Sequence, residues 1–214
     1  MRTPHRQPSA GFTLVEVLVV IAILATLAGL ITASVNMAMG SAEVKNCKNE
    51  INRLGAAIDA YLNSASLGDY PPTSLERWYN VAGNGINDGI ESLVAHLATK
   101  NAGGPFYEFS DDALQNLDKD TLENVDLFTE LNWQFAKNEL FEIVDPWGNP
   151  YVYIHNNDYE RTFVMLTDGG KRFTVTGASS EKTGTFHAPT TYQLWSFGPD
   201  GEDNGGEGDD ITSW

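Results

Sequence analysis

Between Phe12 and Met39 the chain runs FTLVEVLVVIAILATLAGLITASVNMAM, with Glu16 as its only charged side chain. At about 1.5 Å of rise per helical residue, the apolar stretch from Val17 onward is long enough to cross the roughly 30 Å hydrocarbon core of a bilayer. This feature predicts a transmembrane helix over 12–39 and leaves the rest of the chain to fold on one side of it. The preceding residues, MRTPHRQPSAG, carry Arg2 and Arg6 and no acid, whereas the whole chain holds 29 Asp and Glu against 13 Lys and Arg, a formal charge of −16. The positive-inside bias therefore places the N-terminus in the cytoplasm and the remainder outside. The same acidity argues against nucleic acid as a partner, because phosphate contacts need a basic face. Five Trp, eight Tyr and ten Phe argue against a mainly disordered chain, and the single cysteine, Cys47, has no partner for an internal disulfide.

An ordinary secretory signal carries its small-residue cleavage site after the apolar stretch, but here Gly11 precedes it. Cleavage at Gly11 would keep the membrane helix on the mature chain and make Glu16 its fifth residue. A carboxylate in a bilayer span costs a few kcal/mol on insertion scales, so it is retained where it has a partner or a task. The string G-F-T-L-V-E, Gly11 to Glu16, followed by an apolar run, resembles the class III signal of type IV prepilins and pseudopilins. The resemblance implies that a prepilin peptidase removes a leader of residues 1–11 and methylates the new N-terminus, Phe12. It also implies that Glu16 pairs with the terminal amine of a neighbouring subunit as the chains assemble into a helical homo-oligomeric filament. A buried carboxylate and a buried amine each need the other, which agrees with that role. The plain alternative is a signal anchor with an incidental Glu near the interface.

Beyond Gly40, the apolar residues Val44, Cys47, Ile51, Leu54, Ile58 and Tyr61 alternate by three and four, the stripe of an amphipathic helix continuing over 40–68. Cys47 lies in that stripe as a small hydrophobe. Residues 69–144 read as a variable helical and loop region. Asp88 is expected to cap a helix with an apolar face of Ile90, Leu93, Val94 and Leu97, and His96 is expected to face solvent. Leu114, Leu117, Leu122, Val125, Phe128, Leu131 and Phe135 suggest one or two further helices in an insertion, and the charge run Asp111 to Glu130 reads as a solvated face. From Asp145 the period changes to that of strands: Tyr151–Ile154, Thr162–Thr167, Arg172–Thr176 and Thr191–Phe197 are separated by Gly and Asp turns. The expected fold is α+β, a long N-terminal helix packed on a small antiparallel sheet over 145–214, with a helical insertion between.

The stretch from Asp200 to Asp210 carries six acids and four glycines without a cation, so its charges repel and it should be disordered unless an ion offsets them. Hard oxygen ligands on a glycine-rich turn suit Ca²⁺ better than the stricter Mg²⁺. An EF-hand begun at Asp200 fails, because its twelfth position is Ile211. The glycine-rich run Gly205 to Asp210 makes only one copy of a repeat that binds calcium in stacks.

The segments D-P-W-G-N-P-Y at Asp145–Tyr151, S-F-G-P-D-G at Ser196–Gly201 and D-D-I at Asp209–Ile211, with Trp214, resemble the major pseudopilins of type II secretion, the G subunits. Tyr70-Pro71 and Gly89–Val94 match the same subunits. The resemblance implies a calcium loop with side-chain ligands Asp200, Asp209 and Asp210 and carbonyl ligands Phe197 and Glu202. It further implies a subunit anchored in the cytoplasmic membrane with a periplasmic domain, working with the prepilin peptidase, an inner-membrane assembly platform and minor pseudopilins to export protein. Residues about 75–87 and 100–138 and the long loop after Asp200 depart from that pattern. A type IV pilus or competence pilin would share everything up to about Leu62. No G-x-S-x-G, H-E-x-x-H or phosphate-binding loop is present, so the chain is expected not to be an enzyme, with a membrane-anchored calcium-dependent hydrolase as the remote alternative.

Overall fold

A computed structural model of the chain describes residues 13–64, 68–76, 83–121, 132, 135 and 138–214. They form a mixed α+β fold with a long N-terminal helix and small antiparallel sheets. The chain divides into two compact units, Met1–Ala42 and Glu43–Trp214.

In the first unit, the described residues from Leu14 onward form the opening turns of helix α1, Leu14–Leu62. From Leu14 to Leu27 its large apolar side chains lie on every side of the helix and are 49–76% exposed. Thr26, the polar residue within that run, returns its hydroxyl to the Ile23 carbonyl at 2.8 Å, so its donor is satisfied within the helix. Among the described residues no helix is long and apolar enough to cross a membrane. The expected span falls partly on Phe12 and on side chains at 28 and 30–37, which lie outside the described residues.

In the second unit α1 buries the predicted stripe from Cys47 onward. Cys47, Ile51, Leu54, Ile58 and Tyr61 are 2% exposed or less, whereas Val44 stays in solvent. The stripe packs with Ile90, Leu93 and Leu97 of helix α2, Asp88–Ala98, and with Tyr151, Tyr153, Leu194 and Ile211. Short strands complete the unit. Strand β1 (Leu114–Gln115) pairs antiparallel with β2 (Glu142–Ile143), β4 (Phe163–Leu166) with β5 (Arg172–Val175), and β3 (Val152–His155) with β6 (Tyr192–Ser196), which also pairs with β7 (Ile211–Thr212). Successive side chains of a strand point to opposite faces. Tyr153 and Leu194, cross-strand partners, therefore join the helices, while Val152, Ile154 and Trp195 join Tyr159, Met165, Val175 and Phe197 in a second cluster. Burial of both faces explains why Tyr151–Ile154 reads as a continuous apolar run instead of an alternation.

Four expectations are corrected. The residue before α2 is Asn87, at φ 55°, and Asp88 is the first helical residue, its Oδ1 accepting the Gly85 N–H at 3.1 Å. Asparagine tolerates this left-handed backbone, and its side chain is spent across the fold instead of on the helix. Asn87 Nδ2 donates to Glu142 Oε1 at 2.7 Å, and Oδ1 accepts the Leu166 N–H at 2.9 Å. His96 does not face solvent; it is 1% exposed. Its ring meets Tyr61 edge-on at 5.7 Å, and Nδ1–H donates to the Ser92 carbonyl at 2.7 Å, because α2 is covered all round. Leu114 belongs to a strand, and among the described residues the 100–142 region holds a 3-10 turn at Asn101–Gly103 and the β1–β2 ribbon instead of a helix. The loop after that turn is pinned when the N–H groups of Phe106 and Tyr107 both donate to the Leu97 carbonyl. Leu122, Val125, Phe128 and Leu131 lie outside the described residues. Finally, Asp118 and Asp120 in the expected solvated charge run are half-buried.

Burial lowers the His96 pKa from 6.5 to about 4, against a smaller opposing effect of its hydrogen bond to Ser92. The unfolded chain then binds more protons than the folded one between those values, so this stabilising contribution is complete above pH 6.5 and is lost as the pH falls toward 4. The loss amounts to about 3 kcal/mol. His96→Leu is expected to flatten the acid side of the stability curve by that order, measured by denaturant unfolding at pH 7 and pH 4.5. An unchanged difference between the two pH values would refute the assignment.

Candidate functional site

Two regions carry the predicted functional residues. At the N-terminal one, Gly11 and Phe12 lie outside the described residues, but Glu16 does not. Its Oε2 accepts both the Thr13 backbone N–H and the Thr13 hydroxyl at 2.8 Å, while the Glu16 N–H points back to Thr13 Oγ1 at 3.3 Å. This is a reciprocal capping box, which satisfies two of the N–H groups a helix start leaves without partners and places a negative charge at the positive end of the helix dipole. Thr13 was missed as a functional residue, although T-x-x-E at Thr13–Glu16 is the sequence signature of such a cap.

At the other region, the loop between β6 and β7 holds the predicted metal ligands. Its acids are answered by backbone donors. Asp209 Oδ2 accepts the Asp200 N–H at 3.2 Å, Asp200 Oδ1 accepts the Glu202 N–H at 2.8 Å, and Asp210 Oδ2 accepts the N–H groups of Asn204 at 3.1 Å and Gly206 at 2.7 Å. Asp203 Oδ1 accepts from Gly205 and from the Trp195 indole. Each such bond offsets part of the mutual repulsion. Two glycines make the close approaches possible. A Cβ at Gly198, φ +67°, would strike the Asp209 carbonyl, and one at Gly206, φ +84°, would strike the Trp214 ring. Trp214 covers the loop, stacked on His187 at 5.2 Å and edge-on to Trp195 at 5.9 Å.

The Asp145 turn buttresses the start of this loop. Asp145 Oδ1 accepts the N–H groups of Trp147 and Asn149, and Oδ2 accepts the Ser196 hydroxyl at 2.6 Å, whose oxygen in turn accepts the Gly198 N–H. The D-P-W-G-N and S-F-G-P-D segments, far apart in sequence, are therefore one hydrogen-bonded piece. Ser196 and Asp145 were not singled out as functional residues, since nothing in the chain order links them.

Of the proposed ligands, the loop brings Asp200 and Asp209 together through a hydrogen bond and holds Asp210 one residue on. Asp200, Asp209 and Asp210 are not among the carboxylate trios whose oxygens gather within 4.8 Å, among the described residues. The Glu202 carbonyl accepts the Asn204 side-chain amide, and its carboxylate pairs with Lys171. Phe197 is fully buried in the second cluster, its ring 4.8 Å from Phe173. Asp210 Oδ1 is buried without a hydrogen-bond partner. Burial, with repulsion from Asp203 and Asp209 added, pushes the Asp210 carboxyl up to about 6. An orphaned carboxylate oxygen in an all-oxygen, glycine-rich loop fits a hard cation.

Comparison with known proteins places these features. Residues 6–32 match the prokaryotic N-terminal methylation motif. Over 215 aligned positions, covering 98% of each chain, the sequence is 27% identical to the type II secretion system core protein G of Pseudomonas aeruginosa. No solved structure gives a significant match. The matched motif contains the Thr13–Glu16 cap, and the likeness to the secretion core protein runs through to the acidic loop.

Proposed function

We propose that this chain is a non-enzymatic structural subunit of a type II secretion pseudopilus, polymerised through its N-terminal helix to drive protein export across the outer membrane. The observation that carries this reading is the apolar surface of α1, bare on every side from Leu14 to Leu27 and lying within the residues that match a methylation motif. Soluble proteins rarely expose so continuous an apolar surface unless a membrane or another chain covers it. In the proposed cycle both do so in turn. The prepilin peptidase cuts after Gly11 and methylates Phe12. The helix over Val17–Met39 resides in the cytoplasmic membrane with the second unit in the periplasm. The inner-membrane assembly platform, with minor pseudopilins, then transfers the helix into a filament of like helices. Glu16 meets a neighbour's Phe12 amine and sets the register. The full-length likeness, which continues through the Asp145 turn and the C-terminal loop, favours secretion over a type IV pilus or competence role.

For the loop, the proposed ligands are the Asp200, Asp209 and Asp210 side chains with the Phe197 and Glu202 carbonyls. Bound Ca²⁺ would supply positive charge where acids crowd and give Asp210 Oδ1 a partner. Because Glu202 already accepts from Asn204, its carbonyl would exchange that bond for the ion.

Replacing Gly11 by Val is expected to leave full-length precursor in cells that carry a prepilin peptidase, read by the mass of the purified chain. Normal processing of that variant would overturn the leader assignment. Chelating Ca²⁺ is expected to lower the melting temperature of the wild-type protein by several degrees, as for a ligand held well above its dissociation constant. Asp209→Asn is expected to shrink that shift, and a shift that survives in full would refute the loop as the site.

A further inference from the structure

A second group of acids lies outside the loop, and nothing in chain order joins its members. Glu91 sits on α2, Asp118 on the turn after β1, and Glu142 on β2, and each offers a carboxylate oxygen within 4.8 Å of the other two. Glu91 is 1% exposed and Glu142 is fully buried. Their surroundings differ in one respect. Glu142 is hydrogen-bonded through both oxygens, accepting Asn87 Nδ2 at 2.7 Å and the Leu117 N–H at 3.0 Å. Asp118 is also bonded through both, accepting the Asn84 amide at 2.8 Å and the Asp120 N–H at 3.2 Å. These bonds hold the two carboxylates in place. Glu91 has no such bond: its Oε1 is buried without any partner.

A buried carboxylate with an unpartnered oxygen, gathered with two other carboxylates, is among the most expensive arrangements a protein interior offers. No ion pair among the described residues involves Glu91, Asp118 or Glu142. Asp120 and Asp88 stand close enough to add their repulsion to Glu91, and Asp120 Oδ1 is itself buried without a partner. Two resolutions exist for such a cluster: protons on the acids, or a cation among them.

We propose that Glu91, Asp118 and Glu142 form a binding site for a hard divalent cation, with Ca²⁺ the best fit, independent of the C-terminal loop. The donors are all carboxylate oxygens, the set that hard cations take. Two oxygens on opposite sides of Ca²⁺ at its usual 2.3–2.6 Å are roughly 5 Å apart, so a trio gathered within 4.8 Å suits that radius and needs little rearrangement. Three carboxylates give a formal charge of −3, more than one divalent ion neutralises, and the remaining ligand positions fall to water or to Asp120. Hydrogen bonds from Asn87 and Leu117 to Glu142 and from Asn84 to Asp118 hold these carboxylates in orientation, the outer support a metal site needs. The ion would tie helix α2, the turn after β1 and the β1–β2 ribbon at one point.

The test is a calorimetric titration of Ca²⁺ into the full-length, detergent-solubilised protein after chelation, repeated with Tb³⁺ luminescence as the readout of carboxylate coordination. The wild type is expected to bind one more equivalent of metal than Glu91→Gln. Asp118→Asn, on a half-buried turn, is the second variant should Glu91→Gln not fold, and is expected to lose the same equivalent. Asp210→Asn, in the C-terminal loop, is expected to retain it, so failure of the loop site and failure of this one read out separately. Equal stoichiometry in the wild type and both cluster variants, with Glu91→Gln melting higher than the wild type in chelator, would show a protonated acid cluster alone and overturn the proposal.

Discussion

The sheet formed by β3, β6 and β7 is covered on both faces, and most of the second unit follows from that. A sheet of three short strands cannot hold itself together in water; it needs apolar cover. One face takes Cys47 to Tyr61 of α1 and the inner side of α2, and the other takes the β4–β5 hairpin and the aromatic group around Trp195. Complete burial of side chains the size of Tyr153, Leu194 and Trp195 contributes about 1.5–3 kcal/mol each, so the sheet is where the stability of this unit concentrates. The loops that carry the candidate chemistry hang from its strands. The acidic loop runs from the end of β6 to the start of β7, whose pairing at Ser196 and Ile211 brings its two ends together.

Two-sided burial also sets the terms for polar groups. Asn87, Glu142, Ser196 and Gln193 are all buried, and each is spent as a cross-link: Asn87 from α2 to β2 and β4, Ser196 from β6 to the Asp145 turn, Gln193 to the Ala178 N–H and carbonyl. Buried polar side chains with partners fix one arrangement of the elements they join, whereas those left without partners mark places where something is still owed. Asp210 and Glu91 are of the second kind.

Much of this was legible in the residues. The stripe from Cys47 to Tyr61 follows the helix period, and the β-rich runs at Tyr151–Ile154 and Arg172–Thr176 are bounded by turn residues, so each can be placed within a residue or two. The burial of His96 is not legible, because a single period describes one apolar face, while α2 is covered on all sides, and burial of the opposite face comes from elements distant in sequence. The spacing of Leu114 and Leu117 suits a helix, but the pairing of Leu114 with Ile143 lies beyond any local pattern. The same limit hid the Asp145–Ser196 bond and the convergence of Glu91, Asp118 and Glu142, which the chain brings together from three separate elements. The acidic loop stood out by composition, yet its ordering by backbone N–H groups depends on turn geometry that composition does not encode. Thr13 is readable as the first member of T-x-x-E, the signature of the cap it forms with Glu16.

That threonine bears on the proposed docking of one subunit on another. The Glu16 carboxylate is already satisfied by its own helix start before any neighbour arrives. Joining a fibre would therefore be an exchange, in which an internal clasp opens and an external one closes. The polar part of the gain per joint would then be the difference between the two arrangements, and burial of the apolar helix surface would add to it. In the proposed cycle, the lone subunit would present a satisfied acid to the lipid instead of a bare one.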